Sequence, residues 1–229
     1  MTRGAALAGL VAGALAARVG PVAAQPRGAA PITAPVAAGV TVDWTRGVVI
    51  ARGLGPADRH APSPAVARVA AERRAIDQAR ARLTAALAAL PRVGPPLTDA
   101  ARAALAREVE GAPIVARDLA TDGSVAVEVG LGVEAVRQAV AGPRALAAGS
   151  DEGAAAVVVL DGRAAGVRPA VGLTVGAGAW AGPITFVGAP PAGQGAPRPI
   201  TAATAGALTV AGAAPPAGAR VVVVVTQQP

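Results

Sequence analysis

The chain has 229 residues and a formal net charge of +7, with 14 acidic side chains set against 21 basic ones that are all Arg, scattered along the sequence and never gathered into a nucleic-acid footprint. The absence of Cys excludes disulfides, thiolate metal sites, cysteine nucleophiles and a lipidated N-terminal Cys, and the absence of Lys excludes a Walker-type phosphate loop. With Trp44, Trp180 and Phe186 as the only aromatic residues, the core must be assembled from Val, Leu, Ile and Ala, which bury little area each.

In chain order, Arg3, the apolar run Gly4 to Ala17 and the small-residue pattern Val22-Ala23-Ala24 have the layout of an export signal. This predicts a signal peptide over 1–24, Sec-type cleavage after Ala24 and a periplasmic or secreted product. The apolar run stops at Arg18 and Pro21, short of the roughly 20 residues a membrane span needs, and no later run qualifies, so no transmembrane segment is expected. Residues 25–39, rich in Pro, Ala and Gly, read as a flexible leader.

Residues 40–140 read as a β-α-β-β module. In "VTVDWTRGVVIARG", Val42, Trp44, Val48 and Ile50 fall on one face at the strand period, with a turn or bulge at 45–47. A long helix follows, capped by Ser63 with Pro64 in its first turn, stopped by Pro91 after Leu90, and carrying an expected apolar stripe of Val66, Val69, Ile76, Leu83, Leu87 and Leu90. "TDAARAALAREVEG" predicts a second helix between Thr98 or Asp99 and Gly111. "PIVARDLA" and "SVAVEVGL" predict a hairpin through Thr121-Asp122-Gly123, and "GVEAVRQAVAG" adds one or two helical turns. Residues 141–152 read as a linker. Residues 153–229 read as a small β-rich domain with strands in "AAAVVVLDGR", "GVRPAVGLTV", "GALTVAG" and "ARVVVVVT", and a long loop at 188–199. The fold class predicted is α+β.

No site constellation survives inspection. Gly53-Leu54-Gly55 follows a strand, but the third glycine of a dinucleotide fingerprint is missing and seven residues separate Pro56 from the helix, so these glycines read as a strand exit needing unusual backbone angles. His60 is the sole histidine, Ser63 three positions on reads as a cap, and neither Ser124 nor Ser150 lies in a nucleophile elbow. Asp118 and Glu128 lie on opposite arms of the hairpin, where they could approach each other at a separation that spacing does not give, and solvated strand charges explain them best. The expectation is no catalytic, cofactor-binding or metal-binding residue. Arg73 and Arg80 fall beside the expected apolar stripe; they either cover the core edge with their stems or mark a partner contact.

The succession "VDWTRGVVIARGLG", "SPAVARVAAERRAIDQARARLTAAL" and "VEGAPIVARDLATDGSVAVEVGL" resembles the β-α-β-β module of the Lpp-twenty-type envelope lipoproteins and of the N-terminal domain of flagellar assembly protein T, over about residues 40 to 132. The carriers are the W-T-x-G segment at Trp44 to Gly47, the A-x-G pattern at Ala51 to Gly53, the Ala/Arg-rich helix and the D-G turn. The resemblance implies an envelope location and a structural or assembly role, without catalytic residues to carry over; the lipidated Cys of the lipoproteins is missing. The partners expected are envelope proteins or further copies of the chain, with no nucleic acid. Two other readings stay open: a small-ligand-binding oligomer, and an exported carboxylate-dependent enzyme using Asp118, Glu128 or Asp161.

Overall fold

The computed structural model describes residues 31–141, 156–176, 182–204, 206–216 and 218–226, with Ala141 described at backbone level. The predicted signal peptide and the predicted linker beyond Ala141 therefore lie outside the described residues. The fold is α+β.

The first sheet is antiparallel throughout. Strands β1 (Thr33–Ala37), β2 (Val40–Asp43) and β3 (Val48–Gly55) form a meander; helices α1 (Pro64–Leu87) and α2 (Asp99–Glu110) follow. The chain then returns through edge strand β4 (Ile114–Leu119) and inserts β5 (Val125–Gly132) beside β3, giving the order β1-β2-β3-β5-β4. The helix caps and the hairpin turn lie where local sequence put them. Ser63 Oγ accepts from Val66 N at 3.3 Å and Thr98 Oγ1 from Ala101 N at 3.1 Å. At the turn, Asp122 Oδ1 accepts from Ser124 N at 2.9 Å and Gly123 takes a φ of 83° that its lack of a Cβ permits.

Four expectations are corrected here. Thr33–Ala37, assigned above to the leader, is an edge strand, and Ile32 before it is buried. Proline is tolerated at such an edge, and Pro35 with the register irregularity after it hid the strand from a periodicity count. The strand exit is corrected too. Gly53 and Gly55 lie inside β3 without positive φ, and they serve close packing instead. In the hairpin between β2 and β3, Val40 pairs with Ala51 and Val42 with Val49, so Val49 and Ala51 face the core while Val48 and Ile50 are half-buried on the other side. The turn of four residues shifts the parity that a continuous strand would keep. Finally, α1 ends at Leu87, one turn before Leu90, and its buried face is Ala67, Ala71, Ala75, Ala79, Leu83, Ala86 and Leu87. Val66 and Val69 are exposed and Ile76 is half-buried, because the helix approaches β3 too closely for large side chains to intervene.

The depth of that approach is set by Gly53 and Gly55. A Cβ on Gly53 would collide with the carbonyl oxygen of Ala75 and come within 2.7 Å of Ala79 N, and one on Gly55 would collide with the carbonyl of Ala71. Beyond Ala51, β3 outruns β2 and would present a bare strand edge. The same helix closes it. Arg52 N bonds Gly39 O at 2.8 Å, Arg82 Nη1 donates to Arg52 O at 2.6 Å, Leu54 N donates to Gln78 Oε1 at 2.7 Å, and Arg74 Nη2 donates to Pro56 O at 2.7 Å. Residues 74, 78 and 82 are successive i, i+4 neighbours, so one flank of α1 stands in for a missing strand.

Helix α3 (Val133–Ala141) continues from β5, its first N–H bonded to Gly47 O at 2.8 Å. The C-terminal region holds β6 (Val157–Asp161), β7 (Thr174–Val175), β8 (Ile184–Val187), β9 (Arg198–Thr204), β10 (Ala207–Val210) and β11 (Arg220–Val224), in sheet order β7-β10-β9-β6-β11-β8. Two of these, β8 and β9, were not anticipated; the expected strand over 166–175 shrinks to Thr174–Val175, and β9 takes the end of the expected loop. Strand β6 is parallel to β11, β11 to β8 and β6 to β9. Parallel pairing buries both faces, which is why β11 reads as an unbroken valine run.

One cluster of buried residues runs from the first sheet through α1, α2 and α3 into the second sheet. The tie between the two sheets centres on Trp44 and Phe186, whose rings meet edge to face at 5.8 Å with an interplanar angle of 80°. Thr45 Oγ1 accepts from Ile32 N and donates to Phe186 O, both at 2.9 Å. Two backbone bonds add to the tie, Val93 N to Val171 O at 2.8 Å and Val171 N to Pro91 O at 2.9 Å.

Candidate functional site

The outer face of α1 carries Arg73, the first of the two candidate partner-contact residues. Ala65, Val66, Val69, Ala70 and Arg73 line a shallow groove, in which Val66 is 49% and Val69 56% exposed. Exposed apolar side chains that lie together on one helix face make this strip a candidate interaction surface. Arg117 Nε of β4 pairs with Glu72 Oε1 at 2.9 Å, which brings β4 alongside this flank of the helix. Val69 lies one turn before Glu72, and Leu119 lies two residues beyond Arg117 on the same strand face, itself 55% exposed. Val66 and Val69, with Arg73 beside them, thus form an exposed apolar strip along α1.

Arg80 is placed differently. It lies two turns from Arg73, outside the groove and half-buried, and its Nε is enclosed without a hydrogen-bond partner. The structure does not join the two arginines in one site.

Asp118 and Glu128 do share a site. Both lie on the face of the sheet opposite α1, in a shallow depression with Arg52, Ala116, Arg117 and Ala126. Arg52 stands directly across from Glu128, and its Nη2 lies 3.9 Å from Asp118 Oδ2, with both partners more than half exposed. Asp161 belongs to the second sheet and pairs with Arg163. The three carboxylates therefore occupy two separate places. His60 is exposed in the loop before α1, its N–H bonded to Asp58 Oδ1 at 2.9 Å, and Ser63 is committed to its cap. Among the described residues no group of three or more His, Asp or Glu side chains is arranged to hold a metal ion.

A third place was not foreseen from the sequence. At the seam between the two sheets, the start of α3 contributes Glu134 and Arg137 to a cavity walled by Trp44, Ile184 and Phe186. Arg137 donates from Nε to Glu134 Oε2 at 2.8 Å and from Nη2 to Oε1 at 2.7 Å, and Gln138 Nε2 reaches Oε1 at 3.2 Å. The bidentate carboxylate raises the Arg137 pKa above its ordinary value, against the opposing effect of burial. The only trace in sequence is an oppositely charged i, i+3 pair in a short helix; what it faces is assembled from segments more than a hundred residues apart.

No family model matches this chain, no curated protein matches it, and no solved structure matches it.

Proposed function

We propose that this chain is a non-catalytic exported protein of the bacterial envelope with a structural or interaction role of the surface- or flagellar-assembly kind. Its docking surface is the α1 strip, and the partner is an envelope protein offering a segment with apolar side chains and an acidic group. The single observation that carries this reading is the exposure of Val66 and Val69 beside Arg73, on a helix whose buried face is made of alanine. A strip with its apolar middle and cationic rim selects an apolar, acidic counterpart. The export-signal layout and the resemblance of residues 40–132 to envelope and flagellar modules support the location. Among the described residues, no helix is long and apolar enough to cross a membrane.

The test is a photo-crosslinking residue installed at Val69 in cells, with adducts mapped by mass spectrometry. The expected result is an adduct to an acidic, apolar segment of another envelope protein that disappears with Arg73→Glu. Absence of an adduct, an adduct indifferent to that charge reversal, or an adduct solely to a second copy of the chain would overturn the proposal. Arg80 is left unchanged in the experiment, because its partly buried head would confound binding with folding.

A further inference from the structure

The cavity at the seam has a volume of about 210 Å³ and is lined by the turn after β2 (Trp44, Arg46, Gly47), the start of α3, and the segments 170–173 and 182–186. Its walls are apolar: Val171, Leu173, Ile184, Phe186 and the Trp44 ring. Its charged groups are Arg46, Glu134 and Arg137. We propose that it binds a small monocarboxylate with an apolar body, the carboxylate on Arg137 and the body between Trp44 and Ile184.

The guanidinium of Arg137 decides the chemistry. The side chain is 9% exposed, and a cation so buried needs its donors satisfied. Glu134 takes up only the Nε and Nη2 side of the fork, leaving the remaining N–H donors on Nη1 and Nη2. Among the described residues Nη1 has no hydrogen-bond partner, and it is not one of the enclosed unpaired atoms, so it reaches accessible space. The open space that Arg137 lines is the cavity. A guanidinium has two edges that can each accept a carboxylate in parallel, and here one is taken by the protein and the other is presented to the void. Were Arg137 there only to brace α3 through its i, i+3 pair, an exposed position would serve without the desolvation cost.

Charge and size narrow the class further. Arg46 and Arg137 against Glu134 leave a net single positive charge on the lining, which favours a monoanion over a neutral molecule or a dication. An apolar cavity of about 150 Å³ accommodates a benzene ring. This one holds a ring or a branched chain of similar bulk together with a carboxylate. Gly47, Gly172 and Gly182 keep side chains out of three parts of the wall. The site lies at the sheet seam and α3, away from the α1 strip, so it stands independently of the docking surface proposed above.

The experiment is titration calorimetry on the full chain with phenylacetate, its neutral isostere phenylacetamide, and acetate. Phenylacetate is expected to bind, with phenylacetamide weaker by about tenfold or more and acetate undetectable at about 10 mM, because both the fork and the apolar walls are needed. Arg46→Gln is expected to weaken phenylacetate a few-fold through the lost charge. Arg137→Lys, which keeps the charge but loses the fork, should weaken it by about tenfold. Ile184→Trp, which fills the cavity, should abolish binding while circular dichroism shows the fold retained. If Ile184→Trp fails to fold, Arg46→Gln and the acid-against-amide comparison decide the matter. No binding of phenylacetate at about 10 mM, equal affinity for acid and amide, or binding unaffected by all folded variants overturns the proposal.

Discussion

The carbonyl oxygen of Ala75 occupies the space that a methyl group on Gly53 would need, so helix and strand touch through backbone. Close approach of this kind brings Cα–H groups and carbonyl oxygens together and leaves no room to adjust. It also explains why the buried face of α1 is a row of alanines spaced four apart from Ala67 to Ala79.

Gly53→Ala is therefore expected to destabilise the protein by about 3 kcal/mol, since the obstacle is main chain and cannot rotate away. Gly132→Ala, where a Cβ meets nothing within 4 Å, should stay within about 0.5 kcal/mol of wild type. Urea denaturation of the two variants checks this; equal midpoints would refute the contact.

The two faces of α1 should separate by stability. Ala75→Val, overpacking the seam, is expected to cost about 1–3 kcal/mol. Val66→Ser and Val69→Ser, on the outer strip, should each change stability by less than about 0.5 kcal/mol. Thermal melts of the three proteins would show the reverse ranking if the larger residues faced the core.

Phe186→Ala removes the ring that joins the second sheet to Trp44 and is expected to cost about 3–5 kcal/mol. A double-mutant cycle with Trp44→Leu should return a coupling of about 0.5–1.5 kcal/mol, the increment of an edge-to-face pair beyond its area burial. A coupling of zero would mean that the two rings merely share a neighbourhood.

A small acid-side effect is expected at the end of β6. Arg163 donates to Asp161 from Nε at 3.0 Å, from Nη2 at 2.7 Å and from its backbone N at 3.1 Å, which holds the Asp161 carboxyl below its ordinary value of 3.8. Because the folded pKa is depressed, the contribution is present above the unfolded value and is lost as pH falls through the folded one. Arg163 is half exposed, so solvent screening keeps this contribution small. Asp161→Asn should lower stability slightly at neutral pH and lose less than wild type on acidification below about pH 4, as read from urea midpoints across that range. Parallel pH profiles for the two proteins would disprove the linkage.

Features decided by adjacent residues were legible in the sequence: Ser63 with Pro64, Thr98, and the Asp122-Gly123 turn each satisfy or bend their own backbone. What depended on a distant partner was not. Alanine carries almost no weight in a hydrophobic pattern, so the count favoured Val66 and Val69, whereas the decisive fact was that Gly53 and Gly55 leave a furrow only alanines can fill. The parity of β3 followed from the length of the turn before it, which no alternation reveals. Arg73 was found from its position beside Val66; Arg137 was not, because its surroundings come from the turn after β2, α3 and two segments of the second half.

The row of Arg74, Gln78 and Arg82 along the uncovered part of β3 links two hazards that are usually separate. If α1 lifts away, the strand loses its packing and, in the same motion, the groups that mask its edge, so it can template a foreign chain while most of the molecule is still folded. Aggregation of this protein would then follow the local opening of one helix and not its melting temperature, and variants that stabilise the second sheet alone would raise the latter without slowing the former.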